Sequence, residues 1–309
     1  MRRRLTLVAT AALTAVGALI AGPASPARAQ TLPIDWNWLN GFFNNVLDPQ
    51  TPPPGANDPN CRGTASKPPV ILVHGTWENQ KDNWAAYSPF LKNNGFCVFT
   101  FNYGGNPGDT TNGWKSIAAS AEELRTYVAQ VKRTTGAAKV DLVGHSQGGM
   151  MPRYYIKFLG GKDSVRKLVA LSPSNHGTTL SGLADLGELL GLIPTIAQIQ
   201  PAAIDQTIGS PFMKKLDTCP NGPNADICPG DTVEYTVIQT NGDQVVTPYS
   251  NAFLNGAKAN IEIQKQCPID FTEHLGITYS QNSAQLVLKA LDPSVTRNVC
   301  VLTLPYVGG

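Results

Sequence analysis

The sequence predicts an α/β fold, in which helices flank a central, mostly parallel sheet. Two observations support this prediction. From residue 69 onward, short runs rich in β-branched residues end in glycine or other turn residues, and amphipathic stretches separate them. Continuous apolar runs of this kind are typical of parallel strands, because both faces of such a strand are buried. Helical crossovers between parallel strands build an α/β sheet, and its chemistry lies at the carboxyl ends of the strands.

Five runs are predicted to be strands: "VILVHG" from residue 70, "CVFTFNYGG" from 97, "VDLVGHS" from 140, "KLVALSP" from 167 and "VEYTVIQTNGD" from 233. Between the second and third runs, apolar residues recur at steps of three and four, which predicts a helix with one apolar face. These residues are Ile117, Ala121, Leu124, Val128 and Val131. The stretch "GMMPRYYIKFL", from residue 149, is predicted to be the helix after the third strand.

The first 29 residues are predicted to be a secretory signal peptide. Three arginines precede an apolar stretch that runs to about residue 21, and Ala-Arg-Ala at 27–29 is a small-x-small cleavage pattern. A membrane anchor is the alternative, but the apolar stretch is short for spanning a bilayer, and Pro23 and Pro26 follow it. We therefore expect a secreted, extracellular protein with no transmembrane segment in the mature chain.

The charge of the mature chain predicts no nucleic-acid partner. Four arginines in the first 29 residues account for the difference between +2 for the whole chain and −2 for the remainder. The slightly basic balance therefore belongs to the signal peptide. The roughly 280 remaining residues suit one large domain or two small ones.

Two segments lie outside the alternation of strands and helices. Residues 30–60 begin with an aromatic stretch that is expected to pack on the body as a helix, and a proline-rich linker follows. Residues 178–217 are rich in leucine and isoleucine and are predicted to be an inserted helical cap; an ordinary helix buried against the sheet is the alternative. The apolar residues at helical spacing are Trp36, Leu39, Phe43, Val46 and Leu47 in the first segment, and Leu183, Leu186, Leu190 and Ile193 in the second.

The stretch "GHSQG" at residues 144–148 has the G-x-S-x-G spacing. The pattern is common by chance, but here it stands between a predicted strand and a predicted helix. A serine at such a sharp turn has a strained backbone, and Gly144 and Gly148 remove Cβ atoms that would collide as the helix packs over the strand. The helix amino end also favours a developing negative charge. Ser146 is therefore a candidate nucleophile, and a simple turn is the alternative.

A serine nucleophile needs a base, and the chain has four histidines. His145 adjoins Ser146 and is expected to point away from it, while His74 and His176 end the first and fourth predicted strands. In α/β-hydrolases the chain order is serine, acid, histidine, and only His274, in "PIDFTEHLGI", follows the last predicted strand. His274 is therefore the candidate base, and a structural histidine is the alternative.

The candidate acid is Asp243, in "YTVIQTNGDQVVTP". It follows the last predicted strand, where a carboxylate can accept the imidazole N–H and fix its tautomer. A turn residue after Asn-Gly is the alternative. Other aspartates fit less well, because three lie in or beside the segment between Cys219 and Cys228, and Asp270 has no preceding strand. Glu273 is expected to be a solvated side chain.

In α/β-hydrolases the oxyanion is stabilised by two backbone N–H groups, one after the nucleophile and one in the loop that follows the first long strand. Those groups belong to Gln147 and Thr76, and Gly75 allows the chain to approach closely. The hydroxyl of Thr76 is a hypothetical third donor.

The order of these motifs resembles that of secreted bacterial lipases and esterases of the α/β-hydrolase superfamily, including class 2 lipases. Over most of residues 61–300 the chain also resembles the yeast lipase B group. "HGTWENQKDNW" resembles the oxyanion loop, "GHSQGG" the nucleophile turn, "NHGT" the loop after the fourth strand, "GDQVV" the acid loop and "EHLG" the histidine loop. The resemblance implies a catalytic domain over residues 61–309, with nucleophile Ser146, acid Asp243, base His274, and oxyanion donors Thr76 and Gln147.

Six cysteines in an exported chain predict three disulfides. The short spacing between Cys219 and Cys228 favours a local pair. The resemblance to the lipase B group implies the other two pairs, Cys61–Cys97 and Cys267–Cys300. No CxxC pair occurs, so a structural zinc site is not expected. No acidic cluster accompanies Asp270 near the histidine loop, so a calcium site is not expected either. We therefore expect no metal.

Together these features predict a secreted serine ester hydrolase, a lipase or esterase, that acts through a Ser-His-Asp triad and an acyl-enzyme. The leucine-rich cap favours hydrophobic acyl groups, so an ester or lipid substrate is expected, at a lipid–water interface. We expect a monomer that needs no cofactor. Polyester cleavage or acyl transfer by the same triad is the alternative, and a non-catalytic binding module is another. The predicted cap, residues 178–217, aligns poorly with the lipase B pattern beyond its first residues.

Overall fold

The structure of the protein is a computed structural model, which describes residues 31–191 and 200–309. The predicted signal peptide at 1–29 and the cap residue Ile193 lie outside the described residues. From Leu32 to Gly309 the described chain belongs to one compact unit.

Six parallel strands form a single sheet in the order β2-β1-β3-β4-β5-β6. The strands are β1 Val70–Val73, β2 Val98–Thr100, β3 Val140–His145, β4 Val165–Leu171, β5 Glu234–Gln239 and β6 Ala259–Glu262. The predicted α/β fold and the five predicted strands are confirmed. Strand β6 was not predicted, because this short edge strand is only partly buried and carries no continuous apolar run.

Helices cover both faces of the sheet. In the described parts of the chain they are α1 Trp38–Asn45, α2 Tyr87–Asn93, α3 Ile117–Thr135, α4 Gln147–Phe158, α5 Leu180–Leu189, α6 Pro201–Gln206, α7 Pro211–Leu216, α8 Ile263–Gln266 and α9 Gln281–Leu291. On one face α3 and α4 pack on the apolar residues of the strands, and on the other face α2 and α9 do so. No described helix has the length and apolar character needed to span a membrane.

Helix α3 shows why the local sequence forms the predicted crossover. Its five predicted apolar residues are all buried in the core. The Ser116 hydroxyl accepts a hydrogen bond from Ala119 N at the start of the helix, which satisfies a backbone donor that has no partner within the helix. Gly136 ends the helix with φ 73°, a left-handed conformation that glycine adopts without strain.

Helix α1 is present in the aromatic stretch, but the residues that face the body differ from the predicted ones. Trp38 and Gly41 are buried, and a Cβ at Gly41 would collide with the Tyr279 ring. In contrast, the predicted apolar residues Phe43 and Leu47 are 66% and 80% exposed. Of the predicted apolar residues, Trp36 does pack against the core, but the close approach of Gly41 to Tyr279 leaves Leu39, Phe43 and Leu47 exposed.

Three disulfides link the described cysteines, as predicted: Cys61–Cys97, Cys219–Cys228 and Cys267–Cys300. Between β4 and β5 the described residues form α5, α6 and α7, which lie in the segment predicted as a helical cap. Leu183 and Leu186 of α5 are buried against Trp77 and Val245, beside the loops that follow the strands.

Candidate active site

Ser146 lies at the turn between β3 and α4, with φ 53° and ψ −123°. A side-chain-bearing residue adopts this conformation only under strain, which the surrounding packing must offset. The turn is tight because a Cβ at Gly144 would collide with the Gly148 carbonyl, and a Cβ at Gly148 with the carbonyl of Val73 on β1. The two glycines therefore allow α4 to cross close over the sheet and present the Ser146 side chain at the strand ends.

Ser146, His274 and Asp243 form a continuous chain of hydrogen bonds. Nε2 of His274 lies 3.0 Å from Oγ of Ser146, and Nδ1 of the same ring lies 2.9 Å from Oδ2 of Asp243. All three side chains are buried. The structure thus brings together, from three separate loops, the residues that the sequence predicted as nucleophile, base and acid.

The Asp243 carboxylate is held by several donors. Its Oδ1 accepts hydrogen bonds from the backbone N–H groups of Val245 and Val246, and its Oδ2 accepts one from Gln239 Nε2. Burial by itself raises the pKa of Asp243, but His274 and these donors outweigh it and hold the pKa below its usual value. The carboxylate is therefore ionised and fixed in orientation, so that it can stabilise a positive charge on the ring.

The other three histidines have partners elsewhere. Burial lowers the pKa of His74 to about 4, and its ring stacks on Tyr103. His176 lies 2.9 Å from Asp226. His145 does not face the Ser146 hydroxyl; its Nε2 lies 2.9 Å from the backbone carbonyl oxygen of His274.

The backbone N–H groups of Thr76 and Gln147 flank the Ser146 turn, and in the described structure neither donates to another protein group. The side chain of Thr76 is engaged differently from the sequence hypothesis. Its hydroxyl donates to Gln147 Oε1 at 2.8 Å and accepts from Nε2 of Gln206 on α6 at 2.9 Å. Because its proton is directed to Gln147, the hydroxyl is not a free third donor in this state.

Two acidic residues near His274 are structural supports. Glu273 is only 4% exposed, so the prediction of a solvated side chain was wrong. Its Oε1 accepts from Gly276 N and its Oε2 from Tyr306 N. Asp270 accepts from Thr272 N and, on its other oxygen, from the side chains of Ser280 and Asn282. The backbone donors around the histidine loop required these buried acceptors, which no local sequence pattern reveals.

Apolar side chains surround the chain of hydrogen bonds on the side of α5. Trp77, next to Thr76, packs with Leu183 and Leu186, and Trp114 and Leu189 contact the same cluster. The Trp77 indole donates to the Gln200 side chain, so its apolar face is held in place. This cluster offers a hydrophobic environment beside the strand ends.

Glu78, Asn83 and Gln206 also belong to the site, although the sequence did not predict them. Glu78 and Asn83 fall within "HGTWENQKDNW", where an acidic and an amide residue shortly after a strand were the available signal. Gln206 lies on α6 and contacts Thr76 only through the tertiary fold.

One described group of side chains has the composition of a metal site. His176, Asp217 and Asp226 bring potential ligand atoms within 4.8 Å of one another. The buried Arg153 guanidinium lies 3.7 Å from Asp226 Oδ1, and it supplies positive charge where a cation would bind. The group is therefore better described as an ion-pair network that joins the loop after β4 to the 219–228 segment.

The parallel sheet, the strained serine turn between β3 and α4, and the histidine and aspartate loops define an α/β-hydrolase fold. The sequence profile of the family "Lipase (class 2)" matches residues 67–278. The matched region contains the serine turn and the two loops. The chain belongs to the class 2 lipase family.

Among the relatives that share sequence with the chain are two triacylglycerol lipases. A triacylglycerol lipase of Pseudarthrobacter phenanthrenivorans and one of Burkholderia plantarii are each 31% identical to it over 160 residues. These alignments cover 50% of this chain, and 45% and 40% of the respective relatives. The chain thus spans less than half the length of these relatives.

Solved structures support the fold. Lipase B of Aspergillus fumigatus superposes with a TM-score of 0.59 at 20% identity, over 82% of this chain and 66% of that one. A mature lipase of Bacillus licheniformis superposes with a TM-score of 0.53 at 19% identity, over 76% of this chain and 96% of that one. At this level of identity the likeness establishes the α/β-hydrolase fold.

Proposed function

We propose that the protein is a secreted serine ester hydrolase, a lipase or esterase, that cleaves carboxylic esters with hydrophobic acyl groups. The observation that carries the proposal is the buried hydrogen-bond chain from Ser146 through His274 to Asp243, with distances of 3.0 and 2.9 Å. This geometry fits proton transfer from a serine hydroxyl to an oriented imidazole. Membership in the class 2 lipase family supports the same reaction.

The reaction follows from the positions of these groups. Ser146 Oγ attacks the ester carbonyl carbon while His274 Nε2 takes its proton, and Asp243 stabilises the imidazolium that forms. The tetrahedral oxyanion accepts hydrogen bonds from the N–H groups of Thr76 and Gln147, and each such donor lowers the barrier by roughly 2.7 to 4 kcal/mol. His274 then protonates the leaving alcohol. Water, activated by the same histidine, hydrolyses the acyl-enzyme.

The substrate class is inferred from the apolar cluster beside the site. Trp77 adjoins one oxyanion donor, and Leu183 and Leu186 pack against it from α5. Trp114 and Leu189 are only partly buried at the edge of this cluster, so an acyl chain that lies against them would bury apolar surface, which contributes about 25 cal/mol per Å². We therefore propose fatty or similarly hydrophobic acyl groups.

A surface strip supports action at a lipid–water interface. In the carboxyl-terminal part of the chain, large apolar side chains are exposed at Ile269, Phe271, Leu302, Leu304, Tyr306 and Val307. We call these residues the apolar strip. The backbone N–H of Trp38 donates to the Val307 carbonyl, so α1, with its exposed Phe43, lies next to the strip. The Glu273 carboxylate accepts from Tyr306 N and thereby ties the strip to the histidine loop. Phe271 N donates to the Thr303 carbonyl and Thr303 N to the Ile269 carbonyl, so the two segments of the strip lie side by side. Exposed apolar surface of this kind marks interaction sites.

Secretion is supported by two features. The three disulfides are typical of proteins exported to an oxidising compartment. The arginine-rich start, apolar stretch and Ala-Arg-Ala pattern of residues 1–29 are those of a signal peptide. Mass spectrometry of the protein tests the proposed secretion. A chain recovered from the culture medium and cleaved after Ala29 would support it. A chain that keeps residues 1–29 and stays in the cells would contradict it.

The activity is tested with p-nitrophenyl esters of increasing acyl length, both dissolved and emulsified. The wild type is compared with Ser146→Ala and with Ser120→Ala, a matched control that removes a buried hydroxyl on α3. Loss of the nucleophile is expected to lower kcat by up to about a millionfold, whereas the control should keep wild-type rates. A fluorophosphonate should label Ser146 covalently, as an acyl-enzyme mechanism requires. Equal hydrolysis by wild type and Ser146→Ala would refute the proposal.

The same experiment separates the alternatives. Polyester cleavage or transfer of the acyl group to an added alcohol would appear as activity toward a polyester film or as a new ester, again dependent on Ser146. A binding module would hydrolyse none of the esters and would not react with the fluorophosphonate. The presence of all three groups within hydrogen-bond distance argues against that last alternative.

A further inference from the structure

A second buried chain of polar contacts lies behind the Ser146 turn. Glu78, which follows β1, is only 3% exposed. Its Oε2 accepts a hydrogen bond from Gly75 N at 3.1 Å and lies 2.9 Å from Nδ1 of His145. Its Oε1 accepts from Asn83 Nδ2 at 2.7 Å. The carboxylate is thus surrounded by donors on both oxygens.

His145 extends this chain to the histidine loop. Its Nε2 lies 2.9 Å from the carbonyl oxygen of His274, and since a carbonyl can only accept, Nε2 carries the proton. Nδ1 lies 2.9 Å from Glu78 Oε2 and 3.0 Å from Asn83 Nδ2. Burial by itself lowers the pKa of His145, but the Glu78 carboxylate and the His274 carbonyl outweigh it and raise the pKa. The ring is therefore held from both sides.

The contacts join three segments that are distant in sequence. Gly75 belongs to the oxyanion loop and precedes Thr76, His145 precedes Ser146, and the third contact is to the backbone of His274 itself. Gly75 has no Cβ, and a Cβ there would occupy the position of the Glu78 carboxylate. One ion pair therefore contacts each of the segments that carry the proposed reacting groups, without touching the Ser146 hydroxyl.

We propose that Glu78 and His145 are positioning residues, which fix the positions of the Thr76 N–H and the His274 ring relative to Ser146. This inference rests on the proposed ester hydrolysis. Catalysis depends on sub-ångström placement of the reacting groups, and displacement by about 1 Å can cost about a hundredfold in rate. Breaking the pair should therefore slow the chemical step, while the acyl-binding cluster around Trp77 and Leu183 remains intact.

The experiment compares Glu78→Gln and His145→Gln with the wild type on a soluble ester. Each single variant is expected to lower kcat by about 10- to 100-fold, with KM within about twofold. The double variant should lose no more than the worse single variant, because either change breaks the same pair. The rate of phosphonylation of Ser146 should fall in parallel, since it uses the same oxyanion donors and base.

The matched control is Asp82→Asn. Asp82 is as buried as Glu78 and lies in the same segment, but its carboxylate accepts hydrogen bonds from Asn79, and not from Gly75 or the histidine loop. It is expected to keep kcat within about threefold even if its thermal stability falls. Asn83→Ala, which leaves both charged residues in place, should show a smaller kcat loss, and it keeps the test available if the other variants fail to fold.

The positioning role is overturned if folded Glu78→Gln keeps the wild-type kcat, if KM rises instead, or if Asp82→Asn shows the same kcat loss. These results differ from failure of the proposed function. An inactive wild type, or a Ser146→Ala variant as active as the wild type, would refute ester hydrolysis itself. An active wild type that requires Ser146 but not Glu78 would refute only the positioning role.

Discussion

The Thr76 hydroxyl donates to Oε1 of Gln147 at 2.8 Å and so connects the two segments whose backbone N–H groups flank the Ser146 turn. Gln206 of α6 donates to the same hydroxyl at 2.9 Å. Helix α6 is thereby linked to the loop after β1 by a buried polar network. We propose that the Thr76 side chain orients the proposed oxyanion donors, which differs from the third-donor hypothesis drawn from sequence.

Replacing Thr76 by Val should reduce kcat by about tenfold and leave KM almost unchanged. The change removes the hydroxyl that donates to Gln147 and accepts from Gln206, at a cost of about 1–3 kcal/mol. The two amides keep their 3.3 Å contact with each other, but Thr76 loses its side-chain hydrogen bonds to both of them. Thr76→Ser keeps the hydroxyl and should remain within about twofold of the wild type. Steady-state kinetics on a soluble ester provide the measurement, and a wild-type kcat in Thr76→Val would contradict the orienting role.

Removing the Cys267–Cys300 disulfide should lower both stability and activity. The bond closes a loop with a sequence separation of 33 that includes His274, and loop-closure entropy predicts a loss of about 3 to 4 kcal/mol. The Cys219–Cys228 bond spans a separation of only 9, so its removal should cost about 2.5 to 3 kcal/mol. Alanine double variants are compared by urea unfolding and by kcat. Equal kcat in the two double variants would show that the bond near His274 has no role in placing it.

Polar replacement of exposed apolar residues should separate interfacial from soluble activity. Phe43→Ser on α1 and Leu302→Ser in the apolar strip alter side chains that are 66% and 54% exposed, so folding should be little affected. Hydrolysis of a dissolved butyrate ester should stay within about twofold, whereas emulsion activity should fall severalfold. Binding of the inactive Ser146→Ala protein to neutral phosphatidylcholine vesicles should weaken with the same substitutions. Unchanged emulsion activity and vesicle binding would exclude this strip as the interfacial surface.

The His176–Asp226 pair should stabilise the fold in a limited pH window. Burial by itself raises the pKa of Asp226, but the His176 side chain and the Asn255 N–H lower it to about 2, from an ordinary 3.8. The lowered pKa of Asp226 stabilises the folded state above pH 3.8, and this contribution is lost as the pH falls toward 2. The hydrogen bond to Asp226 raises the pKa of His176 above 6.5, and that contribution is present below pH 6.5 and is lost as the pH rises through the raised value.

The coupling between the two residues should therefore be greatest between about pH 4 and pH 6.5. It can be measured as a double-mutant cycle with His176→Gln and Asp226→Asn, by urea unfolding at pH 3, 5 and 8. A coupling energy that is the same at all three pH values would show that the pair does not titrate as described.

Much of the fold could be predicted because its determinants are local. The β-branched runs are buried on both faces, so each of the five predicted strands carried its own signal, and the glycines around Ser146 marked the turn. The edge strand β6 gave no such signal, because half-exposed strands need no apolar run. The exposed apolar residues on and beside α1 show a second limit of prediction from sequence. Helical spacing identifies the apolar residues that share one face of a helix, but the packing of neighbouring elements decides whether that face is buried.

The proposed reacting groups could be predicted from the sequence. The glycines around the strand–helix turn indicated Ser146, elimination among four histidines left His274, and the position after the last predicted strand indicated Asp243. The supports that hold them in place became visible only in the folded chain. The Glu78–His145 pair, the buried carboxylate of Glu273 in the histidine loop, and the link from Gln206 to Thr76 are contacts made as the chain folds. Buried polar groups take whichever partners the completed fold brings within about 3 Å, and no pattern along the chain records that choice.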